Sequence, residues 1–217
     1  MFGAGGRAGR RAVAEAVSRG HEITAVVRDP AKHADLGGDG VTVVAGDVTD
    51  AARVAEVAAG HDAAISAVYR PDVPSEELYV GAARALLDGL AEAGVGRLVV
   101  VGIGTILRTE AGEPGVLVHD SPGFPEDGRT FSLGHLAELE MLRRTGTDVD
   151  WVMVAPPPIV LDADADRTGH YRSGVDVVLP PAEGEAGGGS FSYADLAVAL
   201  VDQIERPQHH RALVAVA

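Results

Sequence analysis

Apolar residues recur along the chain in two alternating patterns. Short runs at Ile23–Val27, Val41–Ala45, Ala63–Val68, Leu98–Val101, Trp151–Ala155 and Leu213–Val216 have the length and β-branched content of strands buried on both faces. Between them Arg7–Arg19, Ala51–Ala59, Glu76–Ala93, Leu133–Thr145 and Tyr193–Glu205 carry apolar positions at helical spacing. Regular alternation of this kind predicts an α/β, Rossmann-type fold, a doubly wound parallel sheet covered by helices on both faces. Ligands of such sheets bind at the carboxyl ends of the strands, so the residues just after each run are the first candidates for function. No linker, repeat or low-complexity tract divides residues 1–217, which read as a single domain. Two stretches, Thr105–Arg129 and Pro156–Ser190, are rich in Pro, Gly and Asp. Their length suits functional lids or disorder, and 156–190 is expected to be an irregular substrate-region insertion.

The first helical pattern begins inside a glycine-rich turn, Gly3-Ala4-Gly5-Gly6-Arg7-Ala8-Gly9. In a dinucleotide-binding unit the first glycine turns the chain out of a strand and the second lets the backbone approach a pyrophosphate. The third allows close packing of helix on sheet. Gly3, Gly6 and Gly9 fit those three roles, with Arg7 beside the phosphate. Only Met1 and Phe2 stand where the preceding strand belongs. That strand is central in the usual order, so its loss would leave backbone groups unpaired. The expectation is that further residues precede Met1 in the natural chain.

Composition narrows the partners. The formal net charge is −14, which opposes binding to nucleic acid and anionic membranes. No apolar run is long enough to span a membrane, and no signal peptide is evident. The absence of cysteine excludes disulfides and thiolate metal sites, so a cytoplasmic location and a small-molecule substrate are expected. Against that acidic background, clustered cations carry information. Lys32 is the single lysine among 18 basic residues.

Arg28 directly follows the second-strand run, where a guanidinium accommodates the 2′-phosphate of NADP and a carboxylate would bind the 2′-hydroxyl of NAD. Arg7 and Lys32 are expected to gather at the same phosphate, which favours NADP(H). Asp29 leaves the NAD reading, or a simple Arg28–Asp29 pair, open. Asp47 and Val48 follow the third run and Ala67 ends the fourth; these positions line a cofactor cleft, although Asp47 also suits the cap of the next helix. Gly102, after the Leu98–Val101 run, completes the cofactor set.

The turn GAGGRAG, together with VVRDP, GDVTD, HDAAISAV, RLVVVG, ELEMLRRTGTDVDW, APPPIV, RTGHYRSG and SYADLAVALVDQIERPQH, resembles the atypical short-chain dehydrogenase/reductases. Within them the match is to the NmrA-like NAD(P)H-binding group that includes biliverdin-IXβ and flavin reductases. It runs over nearly the whole chain. One departure lies in the turn, where Gly5 replaces the threonine of the group's GATGxxG. The resemblance implies an NADP-binding Rossmann domain with a small C-terminal substrate region. It does not imply one reaction, because members include reductases, isomerases and regulators that bind nucleotide without turnover.

The Tyr-xxx-Lys pair of the wider superfamily cannot exist here, since Lys32 lies near the second strand. The resemblance places the group's catalytic serine at Thr105, with His135 on the helix opposite. A hydroxyl and a neutral-range histidine can serve a substrate carbonyl and its proton. Equally, Thr105 suits a turn hydroxyl and His135 a helix residue oriented by Glu138. Tyr171 either lines the substrate pocket or anchors its loop. Neither His119-Asp120 nor His209-His210 has metal-site spacing, and Asp162, Asp164 and Asp166 lack the remainder of a calcium loop, so no metal is expected. An NADPH-dependent oxidoreductase acting on a flavin- or quinone-type acceptor is the leading reading. A redox sensor without turnover and a non-redox isomerase or cyclase are the alternatives.

Overall fold

The computed structural model describes residues 1–109, 115–181 and 190–217. Among the described residues seven strands and five α-helices alternate: α1 (Arg7–Ser18), β1 (Ile23–Val27), β2 (Val41–Ala45), α2 (Ala51–Ala58), β3 (Ala63–Ser66) and α3 (Ser75–Ala93) come first. β4 (Arg97–Val101), α4 (Glu126–Arg144), β5 (Asp150–Ala155), β6 (Ser173–Val175), α5 (Tyr193–Glu205) and β7 (Ala212–Val216) follow. A 3₁₀ segment, Pro30–Leu36, links β1 to β2. The strands run β2-β1 on one side and β3-β4-β5-β7-β6 on the other, and every pairing is parallel except β6 with β7.

Phe2 closes the gap between the two halves, bridging Val26 of β1 and Ser66 of β3 in parallel. Its N–H donates to Ile65 O at 2.9 Å and its carbonyl accepts from Ala67 N at 3.0 Å; on the other edge Val26 N donates to Met1 O at 2.8 Å. Met1 N in turn donates to Thr24 O at 2.8 Å. The Phe2 N–H and carbonyl are therefore paired, and its ring is buried in the cluster that α2, α3 and α4 pack on the sheet. β1 and β3, five and four residues long, are joined through Phe2.

The central strands are apolar on both faces because both faces are covered. Leu98, Val99, Val152 and Val154 are fully buried, each contributing about 1.5–3 kcal/mol on burial. One core cluster packs α2, α3 and α4 on the sheet, and a second packs α1 and α5 on its other side. Helix starts follow local chemistry: Asp50 caps α2 by accepting from Arg53 N, and Ser192 caps α5 by accepting from Asp195 N. Gly94 ends α3 with φ +74°, a conformation glycine adopts without strain.

Two elements differ from the sequence reading. Helix α4 begins at Glu126 rather than Leu133, because its first two turns carry few apolar residues and form instead on a favourable dipole pairing by Glu126 and Asp127. Strand β6 lies in the stretch read as irregular. It has only three residues, and its order comes from antiparallel pairing with β7 at Ser173↔Val216 through Val175↔Val214.

Candidate nucleotide-binding cleft

The chain turns at the switch between the two sheet halves, and the glycines make that turn possible. Gly3 has φ +74°, and a Cβ there would run into the carbonyl of Ala67; a Cβ on Gly9 would strike the carbonyl of Gly3. Both positions exclude a side chain by contact with backbone. Gly6 differs, having no atom nearer than 3.5 Å to its Cβ position, so its open side faces space that a ligand can fill. It is also the N-cap of α1, with no side-chain cap and no acidic residue in the first turn. An uncapped helix start presents free N–H groups and the positive end of the helix dipole.

A cleft of about 260 Å3 opens over this turn. Of the residues expected from sequence, Gly3, Gly6, Arg28, Asp47, Val48 and Ala67 line it. Arg7 and Lys32 do not. Arg7 is exposed at the first position of α1, and Lys32 pairs with Asp29 at 3.5 Å on the surface. The three-cation cluster is thus reduced to Arg28, because the 3₁₀ segment carries Lys32 away from the cleft. Gly9 and Gly102 act behind the site. Gly102 is buried, and a Cβ there would lie 2.6 Å from Cγ of Met153.

Asp29 spends its side chain on Ala31 N and Lys32, so it does not pair with Arg28. Among the described residues Arg28 makes no ion pair. Asp50, not Asp47, caps α2. The Asp47 carboxylate accepts from the N–H of Thr49 at 3.0 Å and from its hydroxyl at 2.7 Å. Those bonds, the backbone one foremost, hold its carboxyl below the usual range, with Arg70 3.9 Å away. Sequence reasoning missed Gly5, His33, Tyr69 and Arg70, which also line the cleft. Tyr69 and Arg70 sit just beyond β3, where the strand-end rule could have found them; His33 is brought in by the turn of the 3₁₀ segment and carries no local signal.

The chemical candidates lie elsewhere. The Thr105 hydroxyl meets the Ser132 hydroxyl at 2.7 Å, and Ser132 donates to Gly128 O at 2.8 Å. With the Ser132 proton committed, Thr105 donates to Ser132 and offers lone pairs rather than a proton. His135 is buried, with Nδ1 3.0 Å from Glu138 Oε2 and its ring stacked on Tyr79 at 3.8 Å. It does not line the cleft, and Glu138, one turn along the same helix, orients its ring. Burial pushes the Glu138 carboxyl up, against the lowering effect of His135. Tyr171 donates to Asp202 on α5 at 3.1 Å, and burial first, then Asp202, push its phenol up to about 12. Asp202 also holds Arg19, which follows the last residue of α1; at 1.5 Å per residue that is roughly 18 Å from the cleft end of the helix. The long segment is strapped there because Arg167 pairs with Glu15 at 2.7 Å and Asp195 accepts from Thr168 N and Gly169 N. Tyr171 is an anchor on this face.

The NAD(P)H-binding family matches residues 3–207. The chain belongs to that family. It is 33% identical over 210 residues to the uncharacterized protein YwnB of Bacillus subtilis (strain 168), covering 96% of this chain and 92% of that one. Among solved structures it is similar to a candidate epimerase from Bacteroides thetaiotaomicron, with 31% identity, TM-score 0.85 and coverage of 100% of this chain and 94% of that one. A candidate NADH-flavin reductase from Streptococcus pneumoniae matches with 27% identity and TM-score 0.83, covering 99% and 96%.

The residues present fit the family's nucleotide. The glycine cradle would be filled by any Cβ, the helix start is uncapped, and an unpaired guanidinium lies at the β1 end. Next to this candidate cleft is a second cavity of about 300 Å3 between the first turns of α3 and α4. Tyr69, Arg70 and Leu78 line both spaces. The second is walled by Tyr79 and Phe131; Phe131 stands edge-on to Tyr69 at 5.8 Å and to Tyr79 at 5.9 Å. Among the described residues no group of His, Asp and Glu is placed to hold a metal ion, and no helix is long and apolar enough to cross a membrane.

Proposed function

We propose that the protein is an NADPH-dependent reductase of a small conjugated or aromatic acceptor, of the flavin or quinone type. The observation that carries this reading is the aromatic-walled cavity that shares Tyr69, Arg70 and Leu78 with the nucleotide cleft. Tyr69 and Phe131 offer flat apolar faces to a planar ring, and Arg70, whose guanidinium pairs with Asp72 at 2.7 Å, forms part of the rim that the two spaces share. When bound, NADPH supplies a hydride. The chain's part is to hold two planar groups in register and keep water from between them, a contribution that requires no acid–base pair. The commitment of Thr105 to Ser132 and the burial of His135 agree with that division. In the nucleotide cleft, Gly3, Gly6 and Gly9 shape the pyrophosphate seat, Val48 and Ala67 flank the adenosine, Asp47 accepts from its polar edge, and Arg28 binds the 2′-phosphate. Likeness to a candidate NADH-flavin reductase supports the reaction class. The acidic balance of the chain and the small cavities support a small-molecule substrate.

The test follows absorbance at 340 nm during incubation of NADPH with flavins, quinones and enones. Oxidation above background with a planar acceptor, reduced by Tyr69→Ala, is the expected result. Tight NADPH binding without oxidation of any acceptor would favour a redox sensor, the reading that the same burial of His135 also supports.

A further inference from the structure

Position 5 is where the chain departs from the turn it resembles, with glycine in place of threonine, and the structure shows what uses the space. The imidazole of His33 lies over Gly5, so close that a Cβ there would be 2.5 Å from Cε1 and 2.6 Å from Nε2. A side chain at position 5 and a histidine seated here exclude one another. His33 is half-buried and lines the cleft together with Gly5 and Arg28.

Arg10 sets this seat. Its Nε donates to Gly5 O at 3.1 Å, its Nη2 lies 3.1 Å from His33 Nδ1, and Asp35 holds its Nη1. A guanidinium has donors only, so Nδ1 must accept. A neutral imidazole that accepts at Nδ1 carries its proton on Nε2. The described residues provide no partner for that N–H. Arg10 therefore fixes the tautomer and leaves an N–H donor without a partner among the described residues, on a side chain that lines the cleft with Arg28.

We propose that His33 donates from Nε2 to the 2′-phosphate of NADP(H) and, with Arg28, separates NADP(H) from NAD(H). The inference rests on the NADP(H) reading of Arg28 above. Arg28 supplies charge and His33 supplies direction. The glycine at position 5 exists to admit the ring, so the pair Gly5 and His33 replaces the threonine of the related turn.

Equilibrium titration of the full chain with NADPH and with NADH tests this, using the wild type, His33→Ala, His33→Gln, Gly5→Thr, the Gly5→Thr/His33→Ala double variant and Arg28→Ala. Loss of one hydrogen bond to a charged phosphate predicts about tenfold weaker NADPH binding in His33→Ala, with NADH affinity unchanged. His33→Gln, which keeps a side-chain donor, recovers part of the loss. Gly5→Thr unseats the ring and shows the same selective loss, and adding His33→Ala to it costs nothing further, the non-additivity of residues acting as a unit. Nitrogen-15 spectra of the ring show the Nε2–H tautomer in the free protein and a shift of that nitrogen with NADPH but not NADH. Equal loss of both nucleotides, or unchanged NADPH affinity in the folded His33→Ala variant, overturns the inference. If Arg28→Ala abolishes NADPH preference while His33→Ala keeps it, only this inference falls. Equal wild-type affinity for the two nucleotides removes the NADP(H) reading and this inference with it.

Discussion

The two ends of α1 use arginine in opposite ways. At its carboxyl end Arg19 contacts Glu15, Asp202 and Glu205 at 2.6–2.8 Å, and Arg167 closes on Glu15 from the long segment. These guanidiniums are enclosed by carboxylates and hold three parts of the chain together. At its amino end Arg28 faces the cleft without an ion pair among the described residues, next to a helix start that no side chain caps. In a chain with 32 acidic and 18 basic residues, most cations can find a carboxylate. Several arginines make no ion pair among the described residues, and of these Arg28 is the one that lines the cleft, which makes it the candidate for an anion. Position near a motif was therefore a weak guide: Arg7 and Lys32 are close in sequence to the site, yet Arg7 is exposed on α1, Lys32 pairs with Asp29, and neither lines the cleft.

The strongest way to break this contrast is to fill the cradle. Gly9→Ala places a Cβ against the Gly3 carbonyl and is expected to abolish NADPH binding, read as loss of nucleotide fluorescence enhancement, with circular dichroism checking that the sheet persists. Next, Arg28→Ala should weaken NADPH binding roughly 10- to 100-fold, as loss of a charge-assisted contact predicts, and leave NADH affinity and melting temperature nearly unchanged. At the other end the signs reverse. Glu15→Gln should cost about 2 kcal/mol of stability in urea unfolding while nucleotide affinity stays constant.

The pH dependence sharpens the same comparison. Bonds from Arg167 first, and from Arg19, hold the Glu15 carboxyl at about 2 against an ordinary 4.5. A depressed acid stabilises the fold above its unfolded value, and that contribution is lost as pH falls from about 4.5 through about 2. Stability of the wild type should therefore drop across that window more steeply than stability of Glu15→Gln. The smallest effect is expected from Tyr171→Phe, which removes the bond to Asp202 for about 1 kcal/mol. Unchanged KM for any acceptor would separate an anchoring tyrosine from a substrate-pocket one.

Helices and strands were legible where one segment contained its own signal. The Ile23–Val27, Val41–Ala45 and Tyr193–Glu205 boundaries agree between pattern and structure, since buried parallel strands and an amphipathic helix declare themselves by period. The start of α4 and strand β6 did not declare themselves, because one rests on terminal charges and the other on pairing with β7. In the site, the glycines and the strand-end residues Arg28, Asp47, Val48 and Ala67 were readable from a turn whose sterics are local. Tyr69 and Arg70 lie one step beyond a strand run that the pattern extends to Val68, within reach of the same rule. His33 was not readable, and Tyr171 stayed open between pocket and anchor, because only the path of the intervening loops decides which side of the sheet such residues meet.

From sequence alone came the alternation that demands a covered parallel sheet, the glycine turn, and a charge balance that makes a free cation informative. Tertiary structure decided which unpaired cation lines the cleft, that Phe2 bridges the two halves of the sheet, and that a histidine lies over the glycine at position 5. Local sterics and periodicity are properties of a few neighbouring residues and can be read in order along the chain. Ion pairing, burial and the filling of a cleft depend on residues far apart in sequence, and they exist only once the fold has brought those residues together.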